Sequence, residues 1–271
     1  MIKLIGIDCD DTILDSNKNI SDKTCSVISN ANKKGIKCVL TTGRPFVEKT
    51  IEYYKALNIY EPNQYFIAYN GAAIYDVYNR KELSSITISQ KEILEIHSYL
   101  KKYPVSHYIH KTGAIWYDVM NEYAYLEKKF NDIDLIQIDF DKLDKNETAF
   151  KYMLGGDPKI IKEVYESLPS VLKEKYNVVI SMPCFLEFMN KKVNKWNGLK
   201  ELSQIINISE NEIMAIGDSM NDYEMIKYSC IGVAMENSVL EVKEVADYIT
   251  LSNDNDGVAS AIEELVLYRK V

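Results

Sequence analysis

Short apolar runs that alternate with helical stretches are what most restrict the folds open to this chain. Lys3-Leu4-Ile5-Gly6-Ile7 is followed by a helical stretch over residues 21–34, then Lys37-Cys38-Val39-Leu40-Thr41, a second helical stretch over 46–57, and a third run over 65–69. Apolar runs this short, bounded by polar residues, are the mark of strands buried on both faces. Ser21 is placed to cap the first helix and Gly35 to stop it. Strand, helix, strand, helix, strand is the rhythm of an α/β fold with a doubly wound, mostly parallel, Rossmann-like sheet. The loops that follow such strands share one edge of the sheet, and ligands bind there.

The rhythm breaks near Leu83 and returns near Lys195, and with 271 residues the chain is long enough for a core with an insertion. Between these points the pattern predicts a helix over 89–102, a hairpin over 106–109 and 114–118, and a helix over 122–130. Strands over 135–138 and 150–154 follow, then a helix capped by Asp157 with Pro158 in its first position. Strands over 177–181 and 185–188 close this α+β insert. The first rhythm then resumes with a helix over 195–206, strands over 213–216, 230–233 and 248–250, and helices over 238–246 and 257–267. Residues 1–82 and 189–271 are accordingly expected to form the core, and 83–188 an inserted domain.

Each polar loop after a core strand carries residues able to do chemistry. The first is Asp8-Cys9-Asp10-Asp11-Thr12, three carboxylates in four positions. If the strand continues to Asp10, alternation puts Asp8 and Asp10 on one side and turns Cys9 away. Two like charges that close resist joint ionisation unless a cation or a proton joins them. The arrangement therefore asks for a metal, a proton or both. Later loops add Thr42-Gly43-Arg44, the lone Lys195, and Gly217-Asp218-Ser219-Met220-Asn221-Asp222. Taken singly, an Asp pair is as readily an acidic turn as a site, and Lys195 is one of 32 Lys and Arg. Cys9 reads as a small buried apolar residue. His107 and His110 lack a Cys or acidic partner at ligand spacing and are not expected to bind metal.

In this order and on this frame, Asp8/Asp10, Thr42-Gly43-Arg44, Lys195 and Gly217-Asp218 with Asn221-Asp222 resemble the four motifs of the haloacid dehalogenase superfamily. Their spacing resembles its Cof-type phosphatases, which carry a large class IIB cap between the second and third motifs. Asn70-Gly71-Ala72, Leu186-Glu187 and Asp256-Gly257-Val258 are supporting matches. The likeness covers nearly all of the core, while the insert matches by position and element order. The chain departs from the pattern at Asp11, where Gly is frequent, at Lys195-Trp196-Asn197-Gly198 for the usual Lys-Gly, at Lys192 before Val193, and at Glu236.

The resemblance implies a Mg2+-dependent phosphatase of small phosphorylated metabolites, sugar phosphates foremost, working through an aspartyl-phosphate. Asp8 is then the nucleophile, and Asp10 the acid that protonates the leaving alkoxide and the base that activates water, roles that a carboxylate pair can fill. Thr42, Gly43 and Lys195 would hold the phosphoryl oxygens, Arg44 and Asn221 would bind phosphate, and Asp222 would support them. Mg2+ prefers oxygen ligands, and Asp8, the Asp10 carbonyl and Asp218 suit it. A phosphosugar mutase of the same superfamily and a non-catalytic metabolite sensor are the alternatives; receiver domains that also cluster Asp, Thr and Lys are much shorter.

Composition bounds the setting. Hydrophobic residues make up 46% and charged residues 27%, with no long Pro/Gly tract, so the chain is expected to be globular. A net charge of -8 argues against a general nucleic-acid partner. Five Cys, an odd number without a CxxC pair, suit free thiols in a reducing compartment. No apolar stretch is long enough to span a bilayer, and the first apolar run ends too early for a signal peptide. A cytoplasmic monomer or weak homodimer, without a membrane partner, is the expectation.

Overall fold

The computed structural model describes residues 1–268, and all structural statements concern these. In chain order the first half of the core supplies β1 (Leu4–Asp8), α1 (Asp22–Lys33), β2 (Lys37–Thr41), α2 (Glu48–Ala56), β3 (Tyr65–Ala68), β4 (Ala73–Asp76) and β5 (Lys81–Ser85). The insert supplies β6 (Ile88–Ser89), α3 (Gln90–Leu100), β7 (Ser106–Lys111), β8 (Ala114–Tyr117), α4 (Glu122–Asn131), β9 (Asp134–Gln137), β10 (Thr148–Ala149), β11 (Lys151–Gly155), α5 (Pro158–Ser167), α6 (Ser170–Lys175), β12 (Tyr176–Met182) and β13 (Phe185–Asn190). The chain then returns with α7 (Lys195–Ile205), β14 (Ile213–Gly217), α8 (Tyr223–Tyr228), β15 (Ile231–Ala234), α9 (Leu240–Val245), β16 (Tyr248–Ile249) and α10 (Gly257–Ile262).

By their contacts these elements fall into two units, one of residues 1–44, 48–84 and from 194 on, the other of 45–47 and 85–193. The first is built on an eight-stranded sheet ordered β16-β15-β14-β1-β2-β3-β4-β5. Its strands from β16 to β3 run parallel, and β4 turns back antiparallel on β3. The alternation of strand and helix foretold the parallel part; β4 and β5 form a hairpin that this rhythm does not announce. On one face Leu4, Val39, Ile67 and Ala215 pack against Leu199 and Leu202 of α7, Met225 and Ile226 of α8, and Val242 of α9. Gly6 shows how closely α7 lies on β1, since a Cβ there would come within 2.5 Å of Leu199 Cδ1. Burying each such side chain contributes about 1.5–3 kcal/mol. Ser21 caps α1 as expected, its Oγ accepting the Thr24 N–H at 3.1 Å.

The second unit has a six-stranded sheet ordered β12-β13-β11-β7-β8-β9 and a two-stranded ribbon of β6 and β10. One face, with Ile109, Tyr152, Leu154, Leu186 and Phe188, buries itself against Ile93 and Ile96 of α3, Ile161 and Val164 of α5 and Leu172 of α6. On the other face Tyr108, Ile115, Met153 and Phe185 pack with Ala124 of α4. The period-two pattern of these strands thus separates two apolar layers.

Candidate active site

Parallel neighbours β14, β1 and β2 end at one edge, and their last residues fix where the polar loops begin. Asp8 closes β1 in register with Thr41, the end of β2, so Thr42 follows directly. Gly217 closes β14, and Asp218 follows it. Helix α7 starts at Lys195, its first turn capped by Asn194, whose Oδ1 accepts the Asn197 N–H at 2.7 Å. Because Leu199 and Leu202 hold α7 against the sheet, Lys195 is carried inward and fully buried.

Lys195 Nζ donates to Asp8 Oδ1 and to Asp222 Oδ1, both at 2.5 Å. Asp222 also accepts the backbone N–H groups of Asp218 and Ser219 on Oδ2, each at 3.0 Å. Both of its oxygens are therefore engaged in fixing Lys195 and the loop after β14. Asp218 accepts the Thr12 hydroxyl at 3.0 Å and the Ser219 hydroxyl at 2.7 Å. Acceptor oxygens of Asp8, Asp218 and Asp222, all buried, lie within 4.8 Å of one another.

Asp8 and Asp222 thus share one ammonium, and Asp218 stands beside them. Burial pushes the Asp8 carboxyl well above the usual carboxylate range, the Asp222 charge adds to this, and Lys195 opposes it. Burial and Asp222 likewise raise Asp218. Burial works against the Lys195 charge, but Asp222 and Asp8 more than offset that and push its pKa up. An oxygen-rich, buried pocket left with excess negative charge fits a hard divalent cation.

Asp10 does not stand on a continuation of β1. The strand stops at Asp8, and residues Cys9–Ile13 form a wide helical turn broken at Asp10 (φ -77°, ψ 130°) and Asp11 (φ 57°, ψ 15°). The continued strand on which the alternation of Asp8 and Asp10 depended is therefore not formed. Asp10 instead accepts from Arg44 Nε at 2.8 Å and Nη2 at 2.5 Å, and Lys18 Nζ stands 3.4 Å away. Partial burial raises its pKa, yet Arg44 more than compensates and holds it below the ordinary value. The acid role that the resemblance implies for Asp10 needs a proton on this carboxyl, whereas the ion pair with Arg44 favours its ionised form.

The loop after β2 is held by its neighbours. Thr42 N–H donates to Ile67 O at 3.0 Å, and Thr42 Oγ1 accepts the Arg44 N–H at 3.2 Å. Gly43 lies beside the Asn70 amide, and Asn221 Nδ2 donates to Asn70 Oδ1 at 3.1 Å. The structure therefore gathers Asp8, Lys195, Asp218 and Asp222 into one network, joins Asp10 to Arg44 in a second, and ties Asn221 through Asn70 to the loop bearing Thr42 and Gly43. Sequence reasoning gave no role to Thr12, whose only signal is a hydroxyl at the end of the acidic loop, or to Lys18, which carries none. Cys9 is buried, and burial pushes its thiol up.

Other singled-out residues stand in the insert. Glu187 is buried on β13 with Lys151 Nζ at 2.8 Å. His107 Nδ1 lies 2.5 Å from the Tyr152 hydroxyl, and His110 Nε2 3.3 Å from Glu127 Oε1. Among the described residues, neither histidine belongs to a group able to hold a metal. No described helix is long and apolar enough to cross a membrane.

Residues 5–262 match the family model described as haloacid dehalogenase-like hydrolase. The 5-amino-6-(5-phospho-D-ribitylamino)uracil phosphatase of Bacillus subtilis (strain 168) is 30% identical over 268 residues, covering 98% of this chain and 96% of that protein. A haloacid dehalogenase-like hydrolase from Bacteroides thetaiotaomicron superposes with a TM-score of 0.85 at 30% identity, over 97% of this chain and 99% of the other. A subclass IIB sugar phosphatase superposes with a TM-score of 0.80 at 25% identity, over 96% and 98%.

Proposed function

The chain belongs to the haloacid dehalogenase-like hydrolase family and is a phosphatase of it, and from that premise we propose that it hydrolyses sugar phosphates with Mg2+, through a phosphoryl group carried on Asp8. One observation carries the reading: Lys195 and a buried group of carboxylates converge on the single aspartate that ends β1. Sugar phosphate as substrate rests on the sugar phosphatase among its structural neighbours and on the phosphorylated ribityl substrate named for the Bacillus relative. The second unit is proposed as the cap that selects the substrate.

Lys195 occupies Asp8 Oδ1, which leaves Oδ2 as the attacking atom. An Oδ2–P bond forms as the P–O bond to the leaving alkoxide breaks, and the alkoxide takes its proton from Asp10. Water then attacks phosphorus, gives its proton to Asp10, and frees Asp8. Asp10 needs a proton for the first half and none for the second. Arg44 holds it ionised, as the second half requires; Arg44 turning from Asp10 to the substrate phosphate would let Asp10 take up the proton that the first half needs. Thr42 and Lys195 would steady the phosphoryl oxygens. Mg2+, held by the Asp8 and Asp218 carboxylates and the Asp10 carbonyl, would offset the charge on the transferring group. Asp222, with both oxygens engaged, serves to hold Lys195 and the loop.

The test is phosphate release from a panel of phosphorylated sugars, nucleotides and cofactors, with Mg2+ or with EDTA. Release is expected from sugar phosphates with Mg2+ and not with EDTA. Isomerised product without free phosphate would instead mean a mutase.

A further inference from the structure

Three consecutive residues after β3 adopt left-handed backbone: Tyr69 (φ 51°), Asn70 (φ 56°) and Gly71 (φ 98°). For a buried tyrosine this conformation is costly, and such a turn persists only where its surroundings over-determine it. The surroundings here are three loops of the proposed catalytic machinery. Tyr69 N–H donates to Arg44 O at 3.1 Å and Asn70 N–H to Thr42 O at 2.8 Å, so the turn grips the Thr42-Gly43-Arg44 loop from both ends. The Asn70 amide lies so close to Gly43 that a Cβ there would sit 3.3 Å from it. Asn70 Oδ1 accepts from Asn221 Nδ2 at 3.1 Å. A Cβ on Gly71 would come within 2.2 Å of Asn194 O, the residue that caps α7 and immediately precedes Lys195.

We propose that Asn70 is a positioning residue of the phosphatase reaction, its side chain fixing Asn221 against the Thr42–Arg44 loop while its left-handed backbone sets that loop against the start of α7. The inference rests on the phosphatase reading given above. Asn suits the place because it tolerates the left-handed region and offers an amide oxygen at once. Asn70 acts through Asn221 and the Thr42 loop, so its loss should show in turnover more than in stability.

The experiment uses Asn70→Gly, which keeps the backbone conformation and deletes the amide, and Asn70→Asp, which keeps an acceptor oxygen. Both are compared with Asn221→Ala and with Asn70→Gly/Asn221→Ala. Hydrolysis of p-nitrophenyl phosphate with Mg2+ and the thermal midpoint are measured, together with the Asn221 side-chain amide resonance in 15N-labelled protein. Asn70→Gly should lower kcat by about tenfold to a hundredfold, the scale of a small misplacement, with the midpoint nearly unmoved and Asn70→Asp recovering part of the loss. The double variant should be no slower than the slower single one, the signature of residues acting as a unit. Unchanged kcat in Asn70→Gly, or losses that multiply in the double variant, would overturn the proposal. A wild-type protein that releases no phosphate would count against the phosphatase reading alone. The resonance then decides the structural claim: a shift in Asn70→Gly upholds the link, and an unmoved signal removes it.

Discussion

Asp8 and Asp10 stand two residues apart in opposite electrostatic surroundings. Asp8 is buried beside two other carboxylates, with Lys195 as its cation, and its carboxyl is pushed up. Asp10 is about a third exposed, and Arg44 brings its pKa down. These shifts run opposite to the proposed roles, since attack needs Asp8 ionised and the acid step needs Asp10 protonated; a cation bound beside Asp8 would bring its pKa down, and release of Arg44 would let that of Asp10 rise. Asp8→Asn should lower kcat by on the order of a thousandfold or more, as loss of a covalent nucleophile does, with the circular dichroism spectrum unchanged; substantial residual turnover would remove Asp8 from that role. Asp10→Asn should slow both formation and hydrolysis of the phosphoenzyme in rapid-quench traces, and an unaltered burst would speak against its double duty. Lys195→Ala strips the buried cation from Asp8 and Asp222. In metal-free protein it should cost about 3–5 kcal/mol in denaturant unfolding, and a cost near zero would mean the two carboxylates are not charged there. At this scale the sequence disclosed which residue types ended each strand. It could not disclose that Lys195 reaches back 187 positions to Asp8, or that Asp10 pairs with Arg44.

Among the elements, regular periodicity proved legible and local exceptions did not. Apolar runs and the Ser21 cap located β1, α1 and β2, because burial on both faces and a capping hydroxyl leave plain marks. Helix α8, six residues opening out of a tight turn at Met220–Asp222, was too short to show a period of 3.6. Hairpin β4–β5 escaped notice because an edge strand as exposed as β5 has no apolar run. The turn at Tyr69–Gly71 was visible only as Asn-Gly, with no sign of what it touches. Gly71→Ala should destabilise the protein by roughly 2–4 kcal/mol, since the added Cβ meets backbone in a conformation that already disfavours it. A thermal midpoint equal to wild type would show that the turn can relax. Strand β7 offers a pH test. Burial drives the His107 pKa from 6.5 down to about 3. The folded protein keeps it neutral while the unfolded chain protonates it. Stability from this group is complete above pH 6.5 and is lost as pH falls towards 3, at about 1.4 kcal/mol per pH unit. Unfolding followed at pH 7 and pH 5 should show about 2 kcal/mol less stability at the lower pH from His107; a smaller difference in His107→Phe would confirm its source, and an equal one would deny it.

For the molecule as a whole, charge is the unifying quantity. A chain of net charge -8 gathers three buried carboxylates together, two of them on one buried ammonium, a concentration of like charge that folding alone does not favour. A cation that binds the folded state and not the unfolded one adds stability, about 2.7 kcal/mol at a hundredfold excess over its Kd. Mg2+ should therefore raise the thermal midpoint of the wild type and do so less in Asp218→Asn; equal shifts would place the ion elsewhere. The measurement that bears most directly on the central claim is peptide mapping of protein acid-quenched during turnover of a sugar phosphate with Mg2+. A single added phosphoryl group should appear on the peptide containing Asp8, and it should be missing in Asp8→Asn. A phosphoryl group on another residue, or turnover with no phosphorylated peptide at any quench time, would contradict the account.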